Sequence, residues 1–599
     1  MDYTITVLGT GSIQPYIFSS NLLRENIGAS ELVARVTTRL VQETLDLPEI
    51  VGAAGHNFRV EDQTLAKSYA IDKAIENGNI EAEVIYAGGG NTVLLFKEAA
   101  KAKDFVYVWS RRVLTTAPGL EVYAVHVPYE WAGSVSLAKK VSEAIEALSH
   151  WRSRLPATQA TLGLSVSVAC SSTGLPANQR HPSEDRQRSL ANIANRQVQA
   201  KWDAAKQASH RLRGIFSAET ANFEWSDDLE KIGRLPGRED SFVAVVHADG
   251  NGMGKRVMLL GDMFDELPEY PRAYIHAMRE LSIDLDNTAE TAMKAAVKAL
   301  VATLQHSQAD GRPLYYSDGQ INILPFRPIV FGGDDVTWVC AGPLGLALAH
   351  RYLVELENLL LPSFPQLLRG GGIPEAKAKK IEQDFVAKLP QHNRPYACAG
   401  IALVKTHYPF AQAYHISEEL SKTAKKRVHV LRPDKLASAI DWHYTTTGLT
   451  ASLEDIRQRE YTTLQGDKLH ARPLMLDGRY TWRNWDNFVR MWSAFSRWFD
   501  QRNKMLALRE AVRNGPTAVT QFAAIERVRG GLPEPSLEPP EKGLLRRNSS
   551  ELYFENGWVK VPADAQESIW QNEERGAYFD AIEIEKMFEP LVAAEVQTV

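Results

Sequence analysis

Cysteine is almost missing from this chain. Three occur in 599 residues, at Cys170, Cys340 and Cys398, with no CxxC pair and no Cys/His group at zinc spacing. That excludes a disulfide framework and a four-ligand structural zinc site. No apolar run approaches the roughly 20 residues a bilayer-spanning helix needs. The opening MDYTITVLGTG carries no basic segment followed by an apolar one, so no signal peptide is expected. The expectation is a cytoplasmic protein with no membrane contact. Neither charge dominates: Lys and Arg number 68 against 73 Asp and Glu, a formal net charge of −5. The whole molecule is therefore no polybasic nucleic-acid binder, although a local basic face remains open to it. Familiar catalytic signatures are missing too. Gly250 to Arg256 lacks the four-residue gap and the Ser/Thr of a phosphate loop. Gly9-Thr10-Gly11 is followed by no glycine at dinucleotide-binding spacing, and neither GxSxG nor HExxH occurs.

What is present is ordinary globular composition, 44% hydrophobic and 24% charged, which excludes wholesale disorder and a coiled-coil rod. At about 150 residues per domain the length suggests roughly four domains. The chain opens with a strand-like run, Tyr3 to Leu8, and Ser30 stands where the cap of a helix over Glu31 to Leu45 is expected. Glu83 to Phe96 is an apolar run split by Gly88-Gly89-Gly90-Asn91, which predicts a β-hairpin. The same order returns later. Ser241 to Ala248 is strand-like and ends in Asp249-Gly250-Asn251-Gly252; helical patterns fill 270–305; Pro328 to Cys340 is a second apolar run interrupted by a Gly-Gly turn. The glycine turns (Gly88 and Gly332) lie 244 residues apart and the strand ends (Gly11 and Gly250) 239 apart. Such similar offsets suggest an internal duplication of an α+β unit.

The sharpest feature is Phe331-Gly332-Gly333-Asp334-Asp335-Val336. Adjacent carboxylates at a glycine turn between apolar strands need a compensating cation or hydrogen bonds. A hard divalent ion, most simply Mg²⁺, suits oxygen donors of this kind. Asp249 ends another strand, and neighbouring strand ends could bring three carboxylates together as a two-metal phosphoryl-transfer site requires. Asp249-Gly250-Asn251-Gly252 alone is more often a turn than a site; the two features together favour the site. In the first copy, Thr10 is aligned with Asp249 and Gly90-Asn91 with Asp334-Asp335, so every carboxylate is missing there while the glycines remain. That copy is either structural or a pocket for a second nucleotide at Gly88, Gly89 and Gly90, since glycine backbone can approach phosphate closely.

These residues carry a resemblance. His247 to Gly252 and Phe331 to Asp335 are its specific elements. Supporting ones are Tyr16-Ile17-Phe18, Leu23-Arg24-Glu25, Gly28-Ala29-Ser30, Ala399 to Ala402, Ala424-Lys425 and Asp441-Trp442-His443. Together the chain resembles the large subunit of type III CRISPR effector complexes, a polymerase/cyclase family with paired palm domains. The resemblance implies an α+β protein: a degenerate ferredoxin-like palm over 1–134, a helical linker domain over 135–237, a second palm with GGDD over 238–448, and a helical domain over 449–599. It implies a nucleotidyltransferase joining ATP into cyclic oligoadenylate, with two Mg²⁺ or Mn²⁺ ions on Asp249, Gly250, Asp334 and Asp335. Asp335 would also help activate the attacking 3′-hydroxyl. Asn251, Gly252, Met253, Gly254, Gly332 and Gly333, with Lys422 and Lys425, would hold the triphosphate; the other reading of those lysines is a solvated helix end. Partners implied are ATP, RNA and CRISPR effector subunits. Family members often begin with an HD nuclease domain and carry a zinc-binding cysteine cluster between the palms; this chain has no His-Asp dipeptide and a single cysteine there, Cys170, so neither is expected. A stand-alone signalling system and an RNA-guided complex are both left open, as are a non-catalytic RNA- or protein-binding scaffold and a related enzyme making a cyclic dinucleotide.

In the tail, a helix is expected from about Trp482 to Arg513. Trp485, Phe488, Trp492, Phe495 and Phe499 form an apolar seam on it, best explained by core packing. Arg483, Arg490, Arg497 and Lys504 recur every seven residues, offering one face to solvent by default, or to RNA or a partner.

Overall fold

The computed structural model describes residues 2–154, 167–180, 193–220, 222–361, 372–388, 393–431, 436–445, 452–478, 481–526, 532–535, 537, 553–560 and 575–592. The expected loops at 172–190 and 369–374, and Pro539 and Pro540, lie partly or wholly outside them. The architecture is mixed α+β. Strand β1 (Asp2–Gly11) is buried throughout except at Asp2, because it is covered on both faces. Tyr3, Ile5 and Val7 join one apolar core and Leu8 another, the period-2 alternation of a strand between two layers. Helix α1 (Leu23–Thr37) begins eight residues before the expected Glu31, and Ser30 lies buried inside it, so Ser30 is no cap. The small residues serve packing instead: a Cβ on Gly28 would stand 1.7 Å from the carbonyl oxygen of Lys201 on α4 (Arg196–Ile215).

Between those helices the first sheet is completed by the hairpin β2 (Ala82–Gly88) and β3 (Asn91–Phe96), helix α2 (Ala99–Thr116) and strand β4 (Glu121–Glu130). The hairpin closes through Gly89 and Gly90 at φ 59° and 78°, the left-handed pair that a two-residue turn matching strand twist demands. The sheet order is β2-β3-β1-β4, antiparallel throughout. Helix α3 (Leu137–Arg154) packs behind it.

The second sheet repeats that order. Strand β5 (Phe242–Gly250) leads into α5 (Met253–Asp265) and the long α6 (Pro271–Ala309), then hairpin β6 (Phe326–Val330) and β7 (Asp335–Ala341), α7 (Gly345–Asn358), β8 (Ala397–Lys405), α8 (Phe410–Leu431), β9 (Ala439–Tyr444) and β10 (Leu474–Met475). Its strands run β6-β7-β5-β8-β9-β10, the first four arranged as in the first sheet. Each hairpin is interrupted by a bulge at the same place, Val84/Tyr86 and Pro328/Val330, 244 residues apart. Registers refine the correspondence. Gly9 faces Asn91 as Asp249 faces Asp335, and the Thr10 and Gly250 amides donate to the carbonyls of Gly90 and Asp334, each at 3.0 Å. The counterpart of Asp249 is therefore Gly9, not Thr10.

The tail departs from expectation in two ways. Besides helices it holds a three-stranded sheet of Tyr553–Glu555, Trp558–Lys560 and Arg575–Gly576. The expected single helix is two, Trp485–Ser496 and Arg502–Arg513. Trp485, Phe488 and Phe495 are buried in the core with Trp492 and Phe499 packed against it, as the core reading requires. The break also undoes the seven-residue ridge. Arg483 is 2% exposed, ahead of the first helix, with its guanidinium on the carbonyls of Ala471 and Arg472. Arg490 and Arg497 face solvent, while the Lys504 ammonium lies 4.0 Å from the centre of the Trp498 ring. Arg483 thus leaves the proposed RNA or partner face, being used as an internal hydrogen-bond donor.

Candidate active site

Antiparallel pairing of β5 and β7 sets Asp249 directly opposite Asp335 and His247 opposite Thr337. Residues two apart on a strand share a face, so these four side chains lie together on one side of the sheet. Strand β8 flanks β5 on its other edge, with Gly400 opposite His247. A Cβ on Gly400 would stand 2.0 Å from the Ser417 carbonyl oxygen. That bare position lets α8 settle on the sheet. The helix then carries Lys425 to the end of β5, its ammonium 2.5 Å from Asp249 Oδ2 and 3.0 Å from the Gly250 carbonyl oxygen. Because α8 runs on to Leu431, the lysines at 422–426 sit mid-helix, not at a helix end. Lys422 pairs with Glu418 at 2.7 Å, one turn back.

The acidic turn is held by its own backbone. Gly332 and Gly333 adopt φ 138° and 74°, open to glycine and rarely to other residues. The Gly250 amide donates to the Asp334 carbonyl, and a Cβ on Gly250 would come 2.7 Å from that of Asp334. Glycine at 250 is what lets strand end and turn meet.

Charge is unevenly shared among the acids. Asp334 and Asp335 reach solvent through a cleft, yet protein crowds them on the remaining sides. Desolvation, the Asp249 charge, a hydrogen bond to Asp249 and the Asp334 charge push Asp335 up to about 8, with Lys425 opposing. Desolvation also pulls Asp249 upward, but the bond from Asp335 and the adjacent Lys425 outweigh it and leave it below the usual carboxylate range. The two titrate as a pair sharing a proton. Asp334 is raised, by desolvation first and then by Asp249 and Asp286. Burial lowers His247 and so favours its neutral imidazole, whose Nδ1 lies 3.0 Å from Thr337 Oγ1. One donor atom each from His247, Asp249 and Asp335 falls within 4.8 Å of the others. A surplus of carboxylate oxygen that one ammonium only partly neutralises suits a divalent cation; the residues present fit one. His247 belongs to the sequence motif without an expected site role, although its place two before Asp249 on a strand already puts it on the same face.

Of the expected nucleotide contacts, Gly252 (φ 77°) caps α5, and Gly254 is exposed at its first turn, where free backbone N–H groups favour an anion. Met253 is buried, its sulfur beside Arg256. The Asn251 side chain is spent internally, donating to the Ala437 carbonyl at 2.8 Å and the Cys398 sulfur at 3.0 Å; it shapes the turn instead of facing a ligand. Gly88, Gly89 and Gly90 meet Gly332, Gly333, Asp334 and Asp335 across a cleft of about 390 Å³ between the two sheets, within the size range of small-ligand pockets. In the first copy Arg152 of α3 donates to the Thr10 carbonyl at 2.6 Å, just as Lys425 does to Gly250. Cation and glycines persist there without the acids.

No family model and no curated relative matches the sequence. Among solved structures the chain is similar to Csm1 of T. onnurineus, with 13% identity, 98% of this chain and 69% of that chain covered, and a TM-score of 0.45. It is likewise similar to a Csm1–Csm4 cassette in complex with cA4, with 10% identity, the same coverage and a TM-score of 0.44. A type III-B Cmr-beta structure in the apo state matches at 10% identity over 74% of this chain and 70% of that one, with a TM-score of 0.32.

Proposed function

We propose that the chain is a paired-palm nucleotidyltransferase that joins ATP into a cyclic oligoadenylate, in a type III CRISPR setting with RNA and effector subunits as partners. The observation that carries this reading is the register that sets Asp249 against Asp335, with Lys425 on one side and the N-terminus of α5 on the other. The two repeated sheets are the palms, each ferredoxin-like, and only the second is equipped for chemistry. Domain bounds of 1–134, 135–237, 238–448 and 449–599 belong to the same proposal.

Asp249, Asp334, Asp335 and the Gly250 carbonyl would hold two Mg²⁺ or Mn²⁺ ions, with His247 as a further donor in reach. Such ions, when bound, neutralise triphosphate charge and favour in-line displacement. The chain's own residues do the rest. Gly252 and Gly254, with the first turn of α5, receive phosphate oxygens; Lys425 turns its ammonium from Asp249 toward them; Gly332 and Gly333 let the backbone come close. A second nucleotide lies along Gly88, Gly89 and Gly90, so that its 3′-hydroxyl reaches the first across the cleft. The 3′-oxygen bonds to the α-phosphorus, the bond from that phosphorus to the bridging oxygen breaks, and pyrophosphate leaves. Asp335, at the turn opposite Asp249 and open to the cleft, would help take up the hydroxyl proton.

Incubating the purified chain with labelled ATP and Mg²⁺ or Mn²⁺, with and without RNA, followed by mass spectrometry, tests the reading. Cyclic oligoadenylate and pyrophosphate are expected, with at least a hundredfold loss on Asp334→Ala, on the scale of losing a principal electrostatic group. A cyclic dinucleotide would keep the enzyme and change the product. RNA capture with no turnover under any condition would leave the scaffold reading.

A further inference from the structure

The long helix α6 belongs to the second copy in sequence but lies along the edge strand of the first. Arg272, Arg279 and Asp286 recur on it every seven residues, a spacing that keeps side chains near one face. Arg272 and Arg279 both pair with the fully buried Glu83 near the start of β2, each with a nitrogen 2.6 Å from Oε1. Asp286 does something different at the other end of that strand. Its Oδ2 lies 2.6 Å from the Lys67 ammonium, and Lys67 in turn donates to the Ala87 carbonyl at 2.6 Å. Its Oδ1 accepts the Gly333 amide at 2.8 Å. Ala87 immediately precedes Gly88-Gly89-Gly90, and Gly333 immediately precedes Asp334. One carboxylate thus spans the cleft, an oxygen for each glycine turn.

We propose that Asp286 and Lys67 form a strut that sets the second copy's acidic turn against the first copy's glycine turn and couples nucleotide occupancy of the two. This rests on the function proposed above and deepens it: both are positioning residues, acting through the Gly333 amide. The Lys67 side chain is only 7% exposed and that of Asp286 34%, so the pair is screened less than one at the open surface. Without Lys67 the Asp286 carboxylate is free to turn to water, the Gly333 N–H loses a fixed acceptor, and a turn with two left-handed glycines has alternative conformations open to it. A phosphate arriving at Gly88–Gly90 meets the same ammonium. Its charge competes with Asp286 for Lys67, and that competition is felt at Asp334 and Asp335.

The test uses the full chain as wild type, Lys67→Met, Lys67→Arg and Asp286→Ala. Hydrogen exchange of peptides spanning Phe331 to Val336 reads the strut directly. Exchange at Gly333 should quicken at least threefold in Lys67→Met and Asp286→Ala and stay near wild type in Lys67→Arg, which keeps the charge. Calorimetric titration with a non-hydrolysable ATP analogue and Mn²⁺ reads the coupling. Wild type and Lys67→Arg should bind two molecules interdependently; Lys67→Met should bind them independently. Unchanged Gly333 exchange in Lys67→Met, or unchanged interdependence, overturns the inference. A wild type that binds no nucleotide overturns both the proposed function and the coupling, whereas quickened exchange in that case would retain the strut as a device of the fold.

Discussion

Lys425 shows how much one side chain decides here. It is the cation in direct contact with Asp249, and its removal leaves Asp249 with Asp335 as its partner. Lys425→Met should lower the rate of ATP turnover ten- to a hundredfold with a raised KM, measured by initial rates; an unchanged KM would place triphosphate elsewhere. A different lysine gives a stability test. Burial lowers Lys201 to about 8, while its ammonium donates to the Tyr16 carbonyl at 2.7 Å. Folding therefore disfavours its proton, and the unfolded chain binds more protons between about pH 8 and the ordinary lysine value. Stability of wild type relative to Lys201→Met should rise across that window by up to about 3 kcal/mol, followed by urea unfolding at several pH values. At this scale the sequence was informative about acids and blind to geometry. Asp249, Asp334 and Asp335 stand out by type and context, whereas Asn251 looks like a ligand and is consumed by Ala437 and Cys398. Asp286 and Lys67, 219 residues apart, carry no local signature because their meaning comes only from the cleft.

Elements were legible where periodicity is undisturbed. Both hairpins and α6 fall near their expected bounds, since glycine turns and long apolar stripes speak plainly. At the first helix, tertiary contact overrides a local signal. Ser30 resembles a cap but sits in a helix whose small residues admit α4. The tail helix breaks near Arg497, although its aromatic spacing continues. Gly400 makes the packing argument testable. Gly400→Ala forces α8 off β8, where the added carbon would meet Ser417 and Ser421 backbone at 2.0 and 2.4 Å. It should cost at least about 1–3 kcal/mol, the usual range for overpacking, in urea unfolding. It should also cut turnover, because Lys425 rides on the displaced helix; full activity at wild-type stability would show that the helix moves freely.

Across the whole molecule the two repeated sheets share an apolar core, and α6 adds both apolar and ionic contacts to the first. Glu83 is fully buried, and Arg272 and Arg279 hold it below the ordinary carboxylate range against a desolvation that would raise it. Removing Arg279 leaves Glu83 with Arg272 as its remaining cation and takes a donor from the Val84 and Ile85 carbonyls, so Arg279→Met should cost about 1–3 kcal/mol in urea unfolding. The duplication itself was visible as two nearly equal offsets, yet only the paired bulges and registers aligned it to the residue. Its asymmetry is the functional statement: a copy with acids and Lys425 faces a copy with glycines and Arg152. The most direct test of that statement is the binding of Mn²⁺, followed by electron paramagnetic resonance in the presence of a non-hydrolysable ATP analogue. The account predicts two bound ions per chain, lost in Asp249→Asn and unaffected by Asn91→Ala in the first copy. Full binding by Asp249→Asn, or no bound ion in the wild type, would contradict it.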